Sequence, residues 1–261
     1  TLINRTLGKN KSISVYYAKD GRLMLNSDNN VYEFSVDDGN LDLKHFYISN
    51  MLSPYLMMVV DNAGTLWTGG GNDNIQYSPN NNRNNYIIRF NDFNIENETT
   101  QTQVTAITKL RNGDIVFAYS DLGIVIINPL TMGYRKVHFP DKYEQVFISQ
   151  LYEDNTGRIW IGTSNNGLFT YDPTIDEFEQ IENLDGLNIK SLLEDANGQI
   201  IILCESTLYK YNALSGQFEP IWKVNSEVSS VIKILTLPNG NILAKTINKC
   251  FFIPIYAPPQ S

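Results

Sequence analysis

Apolar residues along this chain come in short runs separated by polar turns, and one arrangement returns again and again: an apolar stretch, a turn ending in Gly, then a second apolar stretch. The copies are VYYAKDGRLML (15–25), LMMVVDNAGTLWTGG (56–70), AITKLRNGDIVFA (106–118), SQLYEDNTGRIWIGT (149–163), KSLLEDANGQIIIL (190–203) and IKILTLPNGNILA (232–244). Each predicts a β-hairpin, because Gly takes positive φ in the turn and Asp or Asn side chains bond nearby backbone N–H groups. Third strands follow at GIVIINP (123–129), GLFTYDP (167–173) and TLYKYNA (207–213), and fourth strands at EFEQI (177–181) and QFEPI (217–221). Helical spacing of apolar residues is nowhere sustained, and Gly, Pro and Asn punctuate the chain too often for a long helix.

The turn glycines are Gly21, Gly64, Gly113, Gly157, Gly198 and Gly240, so successive copies lie 43, 49, 44, 41 and 42 residues apart. That period suits a four-stranded propeller blade. The predicted fold is all-β: a single β-propeller domain over residues 1–261, of six four-stranded blades, with seven as the alternative. The last copy supplies only three strands (231–237, 241–246 and 249–255), so residues 1–7 (TLINRTL) are expected to complete that blade and close the ring with strands from both termini.

Charge narrows the partners. Twenty Lys and Arg against 28 Asp and Glu give a formal charge of −8, and no basic stripe exists to neutralise a run of phosphates. Nucleic acid and anionic membrane surfaces are therefore not expected partners. The sequence has no apolar run of about 18 residues and no basic-then-apolar leader. It starts at Thr1, which reads as a segment of a longer protein. Cys204 and Cys250 cannot build a disulfide framework and are expected as buried free thiols, their pairing left open.

At GRIWIGTSNNGLFTYDP (157–173) the chain resembles the two-component regulator propeller repeat, with its turn Gly, its Trp, its Gly-Thr, its Gly-Leu and its aromatic-Asp-Pro. GTLWTGG (64–70) is a second match. The other copies keep the turn Gly but hold Met24, Val116, Ile201 or Leu243 in place of Trp. The resemblance implies the periplasmic sensor region of a hybrid two-component system in an inner-membrane protein, responding to glycan fragments. Such sensors carry two seven-bladed propellers, a β-sandwich, a membrane span, a histidine kinase and a response regulator. Nothing of the phosphorelay is present in this segment.

Candidate chemistry is sparse. His45 and His138 each stand alone in sequence. Asp61, Asp154 and Asp195 open Asx-Gly turns and lack the bidentate Glu of an EF-hand loop, so they read as turn formers. The pairs Glu153 with Asp154 and Glu194 with Asp195 recur at one repeat position, which marks periodicity. Trp67 and Trp160 occupy equivalent second-strand positions and are expected between blades, the alternative being a ligand-stacking platform. GGGNDN (69–74) lacks the strand-and-helix context of a phosphate loop. The sequons at Asn4, Asn10 and Asn97 matter only in a eukaryotic secretory pathway. No catalytic residue, metal site or cofactor is expected. A ligand, an oligosaccharide or other small polar molecule, is expected on the face formed by the loops between second and third strands and by the connections between blades. The stretches concerned are 26–30, 69–73, 119–122, 164–166 and 91–103. Asp73, Asp121, Asn165 and Asn166 are its candidate contacts. A protein-interaction or dimerisation platform, with a homodimer as one form, and a glycan lyase or hydrolase, with carboxylates from different blades, are the competing readings.

Overall fold

The structure, a computed structural model, describes residues 13–17, 23–27, 30–37, 40–48, 57–70, 72–79, 86–89, 103–120, 123–140, 143, 146–195, 197–223, 231, 233–236, 241–246 and 250–253. Among them the chain forms six antiparallel sheets, in each of which strands adjacent in sequence are adjacent in space. The fold is an all-β propeller of six blades, as the period predicts. By compactness the chain divides into two units, residues 1–120 with 124–137, and residues 121–123 with 138–261.

The first unit carries three blades. Blade 1 is β1 (Ile13–Tyr17), β2 (Leu23–Ser27), β3 (Asn30–Asp37) and β4 (Asn40–Ile48); blade 2 is β5 (Met57–Val60), β6 (Leu66–Gly70), β7 (Asn72–Ser78) and β8 (Tyr86–Arg89). Blade 3 is β9 (Val104–Lys109), β10 (Ile115–Tyr119), β11 (Gly123–Ile127) and β12 (Tyr134–Val137). Blade 1 gives Met24 and Val31, and blade 2 gives Met58, Val60 and Leu66, to one buried cluster. Trp67 stacks on Tyr77 of its own blade at 4.9 Å and meets Phe117 of blade 3 at 6.2 Å.

The second unit carries blade 4, of β13 (Ile148–Glu153), β14 (Ile159–Thr163), β15 (Leu168–Asp172) and β16 (Glu177–Gln180), and blade 5, of β17 (Ile189–Glu194), β18 (Ile200–Cys204), β19 (Thr207–Asn212) and β20 (Gln217–Lys223). A single 3-10 turn, Glu182–Leu184, joins them. Blade 6 is β21 (Lys233–Thr236), β22 (Ile242–Lys245) and β23 (Cys250–Ile253). Trp160 sits among Leu168, Ile189, Ile202 and Phe218, so the indole fills the space between blades 4 and 5. Leu203, Ile234 and Ala244 belong to the equivalent layer between blades 5 and 6. Each buried Leu, Ile or Phe side chain in these layers contributes about 1.5–3 kcal/mol.

Hydroxyl groups fasten neighbouring inner strands. Ser149 Oγ donates to the Ile189 carbonyl at 2.8 Å, and Thr236 Oγ1 to the Glu194 carbonyl at 3.0 Å. Burial also falls from second to fourth strand: β14 is buried throughout, whereas β16 alternates exposed Glu177 and Glu179 with half-buried Phe178 and Gln180. An outer edge rich in carboxylates resists pairing with other sheets.

Two expectations are corrected. Cys250 is exposed and only Cys204 is buried, both as free thiols, because Cys250 opens the outermost described strand of blade 6. Several residues read as loop are strand: Asn26 and Asn30 pair within blade 1, and Gly69, Gly70, Asn72 and Asp73 belong to β6 and β7. Tyr119 likewise ends β10 and is fully buried. Blade 6 has three strands among the described residues, as its sequence predicts; residues 1–7, expected to complete it, lie outside them.

Candidate functional site

The repeat signature turns into contacts, residue by residue. Asp154 Oδ1 accepts the Thr156 and Arg158 backbone N–H groups and the Thr156 hydroxyl, while Oδ2 accepts Trp160 Nε1 at 2.7 Å. Asp61 repeats this with Ala63, Thr65 and Trp67 Nε1 at 2.9 Å. Both carboxylates are buried and fully engaged, so they hold turns. Burial alone would raise the Asp154 pKa, but the hydrogen bonds from Thr156, Trp160 and Arg158 outweigh it and hold the carboxyl below the ordinary aspartate value. Gly162, two residues beyond Trp160, must lack a side chain: a Cβ there would come within 2.8 Å of Ile189 on the next blade. Thr163 Oγ1 donates to the Gly167 carbonyl at 2.7 Å and closes the β14–β15 loop. The most recognisable residues of the sequence are therefore spent on architecture.

The candidate contacts lie at the loop ends. In the second unit the β14–β15 loop and the connection between blades 4 and 5 lie together, since Gly167 N donates to the Leu187 carbonyl at 3.0 Å. Gln180 clamps this end, donating from Nε2 to the Asn166 carbonyl at 3.2 Å and to Asp185 Oδ1 at 2.7 Å, and accepting Tyr143 OH at 2.7 Å. Asn165 is exposed at the tip of the loop. Asn166 is half-buried, its N–H donating to Thr163 Oγ1 at 2.9 Å, while its Oδ1 is buried without a hydrogen bond. Asp73 sits in β7 and its side chain lies outside the described residues, as does all of Asp121. The structure thus brings together Asn165 and Asn166 of the four candidates.

The opposite ends of the blades carry the Asx-Gly turns and the third-to-fourth-strand hairpins. In the first unit a pocket of about 110 Å³ opens there, lined by Asp61, Asn62, Thr65, Asn112, Asn128 and Leu130. Its carboxylate, Asp61, is the one already engaged. His138 is exposed just beyond β12, and among the described residues no group of three His, Cys, Asp or Glu side chains could hold a metal ion. Burial pushes the Cys204 thiol up to about 11, with the neighbouring Glu205 charge adding to the rise, so it is not a nucleophile at neutral pH.

Sequence reasoning missed Phe147, Lys190 and Glu205 at the loop end of blades 4 and 5. Phe147 hides in an apolar run: it is exposed between buried Val146 and Ile148, but all three residues are apolar, so the sequence gives no sign of the alternation. Glu205 stands in a two-residue turn with no Gly or Asn to announce it.

Residues 143–165 match the family described as two component regulator propeller. The chain therefore carries that repeat in blade 4, where the resemblance was read. No curated protein matches the chain in sequence. Among solved structures, the extracellular domain of BT4673 from B. thetaiotaomicron, described as a hybrid two component system, aligns with a TM-score of 0.69 at 18% identity, over 92% of this chain and 32% of its own. The extracellular domain of BT3049 from the same organism, described likewise, aligns with a TM-score of 0.66 at 16% identity, over 92% of this chain and 33% of its own. A catalytically inactive virginiamycin B lyase from Staphylococcus aureus, solved with quinupristin, gives 0.71 at 12% identity, over 95% of this chain and 86% of the lyase. These are likenesses of fold, and the chain spans about a third of the two extracellular domains. No helix among the described residues is long and apolar enough to cross a membrane.

Proposed function

We propose that this chain is a ligand-sensing propeller from the extracytoplasmic part of a hybrid two-component regulator, responding to a glycan fragment. The repeat match at residues 143–165 carries the reading. The fold likeness to extracellular domains of such systems supports it, and so does a loop end rich in amides and carboxylates, which exchange hydrogen bonds with sugar hydroxyls. Signal transmission would belong to other parts of the parent protein.

A thermal-shift screen against defined oligosaccharides tests this. A specific rise in melting temperature without product is the expected result; a uniform lack of response across the panel would overturn it. The lyase likeness favours a second reading, an enzyme acting on a bound substrate. Turnover of any compound in the same screen, followed by chromatography, would establish that reading in place of sensing.

A further inference from the structure

Three non-glycine residues among those described hold positive φ: Met132 and Asp176 at 58°, and Glu205 at 52°. Met132 and Asp176 fall at the same point of the third-to-fourth-strand hairpin, where blade 5 uses Gly216, and in each case the residue's N–H donates to the carbonyl four residues earlier. The repeat accounts for those two. Among the described residues Glu205 has no such counterpart. It opens the two-residue turn, Glu205 then Ser206, between β18 and β19, a place where Gly or Asn meets the turn's demands without strain. An acidic residue kept in this backbone conformation at an exposed tip points to work done by its carboxylate.

Its surroundings fit such work. Lys190 Nζ donates to the Glu205 carbonyl oxygen at 2.7 Å and lies 3.7 Å from Oε2, and the Glu205 side chain is 61% exposed. Glu205 N donates to the Asn188 carbonyl at 3.4 Å. In blade 4 the equivalent clip is Ser164 N to the Phe147 carbonyl at 3.0 Å, next to Asn165. Phe147 is 43% exposed. The Ser149–Ile189 bond sets the starts of these two inner strands side by side, so an outward aromatic ring, two amides and a carboxylate share one end of adjoining blades.

We propose that the loop end of blades 4 and 5 is a site for a neutral oligosaccharide. One sugar ring lies on Phe147, its hydroxyls bond the Glu205 carboxylate and the Asn165 and Asn188 amides, and Lys190 positions Glu205. The exposed carboxylate and the chain's charge of −8 oppose acidic glycans. This assignment rests on the reading of the chain as a glycan sensor.

Calorimetric titration of the whole chain with short neutral gluco-, manno-, xylo- and arabino-oligosaccharides tests it, alongside Phe147→Ala, Glu205→Gly and, at the opposite end, Asn112→Ala. At least one oligosaccharide binds the wild type and Asn112→Ala equally, and Phe147→Ala and Glu205→Gly each weaken it about tenfold or more, the cost of losing a stacked ring or a charged acceptor. Glu205→Gly keeps or raises the melting temperature, because glycine relaxes the turn. Unchanged binding in both loop-end variants refutes the site while leaving the sensor reading intact, and a melting temperature that falls with binding in Glu205→Gly refutes the ligand role. A wild type that binds none of these neutral sugars refutes the site, whereas the sensor reading falls only if the wider oligosaccharide screen is silent as well.

Discussion

Blades 4 and 5 face the same problem and solve it differently. Each begins its hairpin with a buried Asp whose Oδ1 accepts two turn N–H groups, and each must then find a partner for the second oxygen. In blade 4 that partner is Trp160 Nε1, at 2.7 Å. In blade 5 Ile201 stands where the indole would be, and Lys210 reaches across from the third strand to place Nζ 3.3 Å from Asp195 Oδ2. Blade 3 makes no such demand, since Leu110 replaces the Asp and Val116 the Trp. The comparison teaches that carboxylate and donor are kept or lost as a unit, because a buried carboxylate oxygen without a donor is costly.

The largest test of that unit is Trp160→Ala, which empties the space between blades 4 and 5 and strips Asp154 of its donor. A loss of about 3–5 kcal/mol is expected in denaturant unfolding. The same change retaining its stability but abolishing ligand binding would turn the indole from a packing residue into a binding platform. Next comes Lys210→Met, which keeps the apolar stem but removes the charge that Lys210 places beside Asp195, whose side chain is 1% exposed. A loss of about 1–3 kcal/mol is expected, less than for a fully buried pair because Lys210 reaches solvent. If Lys210→Met is neutral, the two blades are not solving one problem and the lysine is an ordinary surface residue.

Much of this was legible in the chain. Among the described residues, the turns at Gly64, Gly113, Gly157 and Gly198, the third strands and the fourth strands all emerge where the sequence places them, because apolar alternation and Asx-Gly turns are local signals. The Asp–Trp pairing was legible too, though only by comparing copies: Asp61 and Asp154 come with Trp67 and Trp160, whereas Leu110 comes with Val116. The Lys210 substitute could not be read, for it acts across strands from a position where the other blades show no pattern. The loop end was harder still. Asn165 could be read from its polar loop, but Phe147 looked like core and Glu205 looked like an ordinary turn residue, since backbone conformation and outward orientation leave no trace in composition.

The finest distinction between the two blades is in their response to acid. Asp154 donates nothing while ionised and accepts from Thr156, Arg158 and Trp160, which together hold its pKa in the folded protein below the ordinary value of about 3.9. A carboxyl whose pKa falls on folding adds stability that is fully present above the unfolded value and is lost as the pH drops through the folded value. Asp154→Asn keeps an oxygen for the turn but turns an N–H toward the Trp160 N–H, so at neutral pH it costs about 1 kcal/mol, as one lost hydrogen bond does. In acid the wild-type carboxyl is protonated and loses the same advantage. The gap in melting temperature between wild type and Asp154→Asn should therefore be widest near neutrality and narrow as the pH falls below the ordinary aspartate range. A gap that stays constant from neutral to strongly acidic solution would show that Asp154 acts through shape alone, and the equivalence drawn between the indole of blade 4 and the ammonium of blade 5 would fail with it.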